Sequence, residues 1–120
     1  MSAMTIFVED SFDAAHWLPK VAEGHKCRAL HGHTYRIRLE FGGGVDPVMG
    51  WVIDYGEVKD VWGRVKSLLD HKCLNEVISN PTCENLALFV KNAIEETYVG
   101  ELLQRIEIRE TERCGVVLDC

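Results

Sequence analysis

From Thr34 to Phe41 the chain alternates without a break. Tyr35, Ile37, Leu39 and Phe41 are apolar or aromatic, and Thr34, Arg36, Arg38 and Glu40 between them are polar. Successive side chains of a strand point to opposite faces, so this pattern predicts a strand with one buried face. Residues 5 to 18 alternate less cleanly, but Ile6, Val8, Phe12 and Ala14 share one phase and predict a second strand. Residues 42 to 50, GGGVDPVMG, are dense in turn formers and predict a connection into a helix. Asp54-x-x-Glu57 then has the form of a capping box, followed by Val58, Val61, Trp62, Val65, Leu68 and Leu69 at helical spacing. Asn80-Pro81-Thr82 opens a second helix with Thr82 as its N-cap and Leu86, Phe89, Val90, Ala93 and Ile94 on its inner stripe. Residues 103 to 111 and 115 to 119 read as a closing pair of strands. Two adjacent helices between strand pairs do not suit a βαβ repeat. The order ββααββ predicts an α+β fold, a four-stranded antiparallel sheet with two helices on one face.

Composition narrows the setting. The 120 residues contain no internal repeat or linker and predict one domain, residues 1-120, large enough to bury its own core. A formal charge of −6 argues against broad binding of nucleic acid or anionic membrane. No apolar run approaches the ~20 residues that cross a bilayer. The start MSAMTIFVED lacks the basic and apolar regions of a secretory signal. The cysteines, at 27, 73, 83, 114 and 120, are odd in number and form no Cys-x-x-Cys pair. These features predict free thiols in a reduced, cytoplasmic setting.

Candidate chemistry concentrates in GHKCRALHGH, residues 24 to 33. His31 and His33, two apart, point to one side of a strand with Cα atoms roughly 6.5 Å apart. They continue the apolar phase of Tyr35, Ile37 and Leu39, and His16 ends the apolar phase of the first strand. Three neutral imidazoles with a coordination position left open are the usual arrangement of a catalytic Zn²⁺. The competing reading is polar histidines near strand ends, hydrogen-bonded to backbone.

Cys27 lies four residues before His31, between Lys26 and Arg28, a setting that favours a thiolate and suits a general base or nucleophile. The other four cysteines read as small hydrophobes. Asp70-His71 is either a carboxylate orienting an acid/base imidazole or a histidine favoured by a helix C-terminus. Glu110 continues the apolar phase of Ile106 and Ile108, where a carboxylate is costly unless paired. A ligand with two parallel N–H donors, such as a guanine-like or pterin ring, would pair it; the alternative is a strand-end residue turned to solvent. Lys20, His25, Lys26 and Arg28 form a local basic cluster that suits an anionic small molecule.

Taken together, FDAAHWL around His16, Cys27-x-x-x-His31-Gly-His33, Leu69-Asp70-His71, Asn80-Pro81-Thr82-x-Glu84 and Arg109-Glu110-Thr111 resemble the 6-pyruvoyltetrahydropterin and 6-carboxytetrahydropterin synthases. The match runs in order from about residue 5 to the C-terminus. The resemblance implies the tunnelling fold and a homohexamer built as a dimer of trimers, with sites at subunit interfaces. It implies zinc on His16, His31 and His33, with Cys27 as catalytic base and Asp70 and His71 as a proton relay. Glu110 would anchor the pterin, with Thr82 and Thr111 lining its pocket, and Lys26 and Arg28 would face the triphosphate. The implied substrate is 7,8-dihydroneopterin triphosphate. The short Cys-to-His spacing is similar to that of the bacterial carboxy-producing enzymes of queuosine biosynthesis. A pyruvoyl-producing enzyme and a non-catalytic zinc or pterin-binding module are the other readings.

Overall fold

Two 14-residue strands, β1 (Ala3–His16) and β2 (His31–Gly44), pair antiparallel along their whole length from Ala3↔Gly44 to His16↔His31. A strand of that length spans roughly 47 Å at about 3.4 Å per residue. The computed structural model, which describes residues 2–120, is accordingly elongated at 58 × 23 × 22 Å. Its radius of gyration is 15.8 Å, against about 14 Å for a compact chain of this length. The end of β1 at His16 and the start of β2 at His31 therefore meet at one extremity, joined by the loop 17–30.

Two helices, α1 (Tyr55–Lys66) and α2 (Cys83–Glu95), cover one face of the sheet. The carboxylate of Asp54 accepts from the Gly56 amide, and the Thr82 hydroxyl accepts from the Asn85 amide at 3.1 Å. Each helix is thus capped where the sequence predicts. The capping box at Asp54 is only half formed, since the Glu57 carboxylate accepts from the Tyr98 hydroxyl instead. Val58, Val61, Trp62 and Val65 of α1 and Leu86, Val90 and Ile94 of α2 bury against Val8, Phe12, Tyr35, Ile37, Leu39 and Phe41. Leu68, expected on that stripe, is exposed because α1 ends at Lys66.

The sheet corrects the expectation of four antiparallel strands. It has five, in the order β3-β1-β2-β4-β5, and is mixed. The additional strand, β3 (Lys72–Cys73), runs parallel to Ala14 and Ala15 of β1. Two residues are too few to show periodicity, so no pattern marks it. The remaining strands, β4 (Leu103–Arg109) and β5 (Gly115–Asp119), pair antiparallel as expected.

Asp10 ties β1 to α1. Its carboxylate accepts from the Trp62 indole at 2.8 Å and from Lys66 at 3.1 Å. Burial raises the Asp10 pKa, but the Trp62 and Ser11 hydrogen bonds and the Lys66 ammonium outweigh it and hold the carboxyl below its ordinary value. A carboxyl depressed in the folded state stabilises it above the unfolded pKa, and that stability is lost as pH falls through the folded value. Asp10→Ala should therefore lower unfolding free energy by about 1–2 kcal/mol at pH 7. In urea titrations the gap from the parent should close as pH drops below about 4. A gap that stays constant down to pH 2 would show that the carboxylate charge is not the cause.

Candidate functional site

β1 ends on His16, β2 begins on His31, and the two are direct cross-strand partners. His33 pairs with Ala14 one alternation further on. All three continue the phase of the buried strand residues, so their rings converge on the helix side of the sheet. Ring centroids lie 4.6 Å (His16–His31), 5.2 Å (His16–His33) and 4.9 Å (His31–His33) apart. One nitrogen of each lies within 4.8 Å of the others.

Backbone carbonyls decide how these rings carry their protons. His16 Nδ1 is 2.8 Å from the Pro81 carbonyl, and His31 Nδ1 is 2.7 Å from the Ala29 carbonyl. A carbonyl only accepts, so both Nδ1 atoms bear hydrogen, and in the neutral ring the lone pair is then on Nε2. Those two Nε2 atoms face each other at 3.0 Å. Two lone pairs at that distance repel unless a cation or an added proton joins them. His33 Nε2 is buried without a hydrogen-bond partner, its nearest charged neighbour being the Glu110 carboxylate at 3.5 Å. Burial pulls the His33 pKa down, Glu110 pulls it up, and His16 and His31 add to the lowering. The net shift keeps His33 neutral at pH 7, the form that ligates. Three converging imidazole nitrogens fit a borderline-soft divalent metal such as zinc.

Cys27 reaches this end of the molecule through the loop 17–30. The Leu18 amide donates to the Cys27 carbonyl at 2.8 Å, closing the loop two residues beyond His16. The ring of His25 accepts from the Cys27 amide at 3.0 Å, which accounts for that histidine as a loop cap. The loop is also anchored by Asn75, whose side chain accepts from the Trp17 amide and donates to the Trp17 carbonyl. Cys27 is half-buried. Lys26 and Arg28 flank it on the exposed loop, with one Arg28 Nη donating to the Val21 carbonyl at 2.8 Å.

Asp70 and His71 occupy the opposite phase of the sheet. Both are held by the main chain of Asp13: its amide donates to Asp70 Oδ1 at 3.0 Å, and its carbonyl accepts from the His71 amide at 2.6 Å. The Asp13 side chain, which accepts from Thr34, joins Asp70 and the His71 ring in a cluster within 4.8 Å. His71 Nε2 is 3.8 Å from Asp70 Oδ1, and its side chain is 79% exposed. His71 also has φ 59°, a left-handed conformation that costs a non-glycine residue energy and recurs at functional positions. Within one chain, then, the Asp70–His71 pair and the histidine cluster face opposite sides of the sheet.

Glu110 and Thr82 share a cavity of about 270 Å³ with Cys83, Glu84, Cys114 and Gly115. The Glu110 amide donates to the Cys114 carbonyl, so the 110–114 turn sets the direction of its carboxylate. Gly115 fixes that turn: a Cβ there would overlap the Ile108 carbonyl and come within 2.9 Å of Arg109 Cα. Thr111 lies on the same turn with its hydroxyl accepting from the Arg113 and Cys114 amides. Cys83 behaves as the sequence suggests for a buried hydrophobe. Burial, Glu110 and Glu84 push its thiol up to about 12, which keeps it protonated.

Four contributors, Tyr35, Pro81, Ala29 and Asp13, are not marked as site residues by the sequence. Tyr35 is fully buried with its hydroxyl 3.3 Å from His16 Nδ1. The Pro81 and Ala29 carbonyls orient two histidines, and the Asp13 main chain holds Asp70 and His71. Tyr35 continues the phase of His31 and His33, the one signal that would have marked it; carbonyl groups leave none.

The family model described as 6-pyruvoyl tetrahydropterin synthase matches residues 5–119. A Pyrococcus furiosus relative named dihydroneopterin monophosphate aldolase is 36% identical over 115 residues, 95% of this chain and 96% of the relative. A Synechocystis relative named 6-carboxy-5,6,7,8-tetrahydropterin synthase is 37% identical over 113 residues, 88% of this chain and 85% of the relative. The solved structure of Caenorhabditis elegans 6-pyruvoyl tetrahydropterin synthase overlays with a TM-score of 0.92, covering 100% of this chain and 97% of that one at 26% identity. With nearly the whole chain matched in sequence and fold, this protein belongs to the 6-pyruvoyl tetrahydropterin synthase family.

Proposed function

We propose that this chain is a zinc-dependent 6-carboxy-5,6,7,8-tetrahydropterin synthase, a single synthase domain that releases triphosphate and acetaldehyde from 7,8-dihydroneopterin triphosphate. The observation that carries the reading is the convergence of three imidazoles, two with Nε2 atoms 3.0 Å apart and the third with its Nε2 buried without a partner. The Cys-x-x-x-His-Gly-His spacing and the relatives named for the carboxy product support this branch. On this reading the enzyme acts in the cytoplasm on the route to queuosine.

His16, His31 and His33 would hold the metal, with Pro81 and Ala29 keeping two of the rings oriented. Bound zinc supplies Lewis acidity toward the side-chain hydroxyls of the substrate. The Glu110 carboxylate takes the parallel N–H donors of the pterin ring, which pairs a charge otherwise costly at that position. Thr82 and Thr111 border the ring. Cys27 as thiolate removes a proton from the substrate side chain, and the His71 imidazole, oriented by Asp70, carries the partner proton transfer.

Since His71 lies on the sheet face away from the histidine cluster of its own chain, both groups meet one substrate only if a second copy supplies one of them. This supports a homo-oligomer with shared sites, the hexamer that the family resemblance implies. Exposed Met4, Trp51 and Tyr55 around one apolar hollow at the far end of the hairpin offer contact surface for such an assembly.

The Pyrococcus relative favours a second reading, an aldolase that cuts the side chain of dihydroneopterin monophosphate. Such a cut would release a two-carbon aldehyde still carrying phosphate. Separate incubations of zinc-loaded protein with the triphosphate and the monophosphate distinguish the two. Triphosphate and acetaldehyde in equal amounts are the expected result. Triphosphate without acetaldehyde would shift the assignment to the pyruvoyl branch, the phosphorylated aldehyde to the aldolase, and no product to a binding module.

A further inference from the structure

The outward face of the sheet carries two rows of opposed, unlike charges and, beside them, one row in which like charges meet. Across the strands, Glu9 opposes Arg38, Arg38 opposes Glu107, Glu40 opposes Arg105, and Arg105 opposes Asp119. Arg38 is within 3.3 Å of Glu9 and 3.1 Å of Glu40, and Arg105 is 2.9 Å from Asp119. In the row Ser11–Arg36–Arg109, two guanidinium groups oppose each other with no carboxylate between them.

Like charges directly opposed on adjacent strands are destabilising. Among the described residues Arg36 has no carboxylate within 4 Å and no side-chain hydrogen bond. Arg109 uses Nε on Glu107 at 3.4 Å and one terminal nitrogen on the Glu112 carbonyl at 3.3 Å, leaving its other terminal nitrogen uncommitted. Ser11, Arg36 and Arg109 line a cavity of about 400 Å³, open to solvent. The acidic residues on its wall are already engaged: Glu9 with Arg38, Glu107 with Arg109, and Asp10 with Trp62 and Lys66.

We propose that Arg36 and Arg109, with the Ser11 hydroxyl beside them, form a binding site for a polyphosphate. Guanidinium forks match phosphate oxygens, and a dianion between them removes the repulsion of the row. The neighbouring row on the same face is Asp13–Thr34, over which the Asp70–His71 pair sits. A ligand whose reacting carbons meet His71 would lay a phosphate tail about one row away, roughly 7 Å along the strands. This deepens the function proposed above by seating the phosphate end of the substrate on the chain that supplies His71. Lys26 and Arg28, on the loop that joins β1 to β2, are not needed for it. The binding itself does not depend on which reaction follows.

Inorganic tripolyphosphate, titrated calorimetrically into the full-length zinc-loaded protein, tests the site without any turnover. Arg36→Gln should weaken binding about tenfold, the lower end for a charge-assisted contact at an exposed position. Arg36→Lys should recover part of the loss, and Arg105→Gln, outside the cavity, should leave the affinity unchanged. Tripolyphosphate should also raise the melting temperature of the parent more than that of Arg36→Gln, because a ligand stabilises in proportion to its binding. Absence of binding to the parent, or equal affinity in parent and Arg36→Gln, would overturn the proposal whatever the pterin assays show. Steady-state kinetics then separate the sources. A rise in KM for the pterin triphosphate in Arg36→Gln assigns the site to the substrate tail. An unchanged KM beside weakened tripolyphosphate binding assigns it to the released product.

Discussion

Replacing Cys27 by alanine is expected to leave zinc content and fold intact and to lower kcat by about 10²–10⁴-fold, the range for loss of a general base. Metal retention follows from position. Cys27 lies in the loop between β1 and β2, and its polar contacts are main-chain bonds to Leu18 and His25, whereas the three imidazoles are set by strand phase and by the carbonyls of Pro81 and Ala29. An alanine keeps those main-chain bonds. Turnover with dihydroneopterin triphosphate and zinc content by atomic absorption, measured on the same preparation, check the two halves together. Activity within a factor of a few of the parent would make the thiol a bystander.

His31→Ala is expected to do the reverse of sparing the metal. Mutation of partners that only orient a metal ligand already costs 10- to 100-fold in affinity, so loss of a ligand should weaken zinc binding by more than about 100-fold. Turnover should fall below detection. The variant should still fold, because it removes the 3.0 Å confrontation with His16 and leaves the hydrophobic core untouched. His25→Ala serves as the contrast. It loses a loop cap and should keep its zinc. Full metal occupancy in purified His31→Ala would defeat the ligand assignment.

The parts of this molecule visible in its sequence are those governed by periodicity. The phase of Tyr35, Ile37, Leu39 and Phe41 and that of Val8, Phe12 and Ala14 are the buried faces of β2 and β1, and the same phase aims His16, His31 and His33 inward. Strand ends are less visible. β2 extends through Gly42, Gly43 and Gly44, a triplet that resembles a turn. Gly42 belongs in the sheet because the Gln104 side chain passes over it where a Cβ would sit. β3 leaves no pattern because two residues have no period. Its pairing arises only when α1 ends and the chain returns along β1. The relay dipeptide is visible as Asp70-His71, but its place on the outward face is not, since backbone bonds to Asp13 put it there. Tyr35 is concealed by its second role, a core aromatic stacked on Phe12 at 5.2 Å that also approaches His16 with its hydroxyl.

The brevity of β3 sets an order of failure on heating. His16, His31 and His33 stand on two strands paired over 14 residues each, so the metal site opens only when the hairpin does. Asp70 and His71 are tethered by two main-chain bonds to Asp13 and the two-residue pairing that follows them. Segments with few contacts open at free energies well below that of global unfolding. On the proposed function, the Asp70–His71 pair is therefore expected to detach first, with activity lost in molecules that are still folded and would still hold metal on the three histidines.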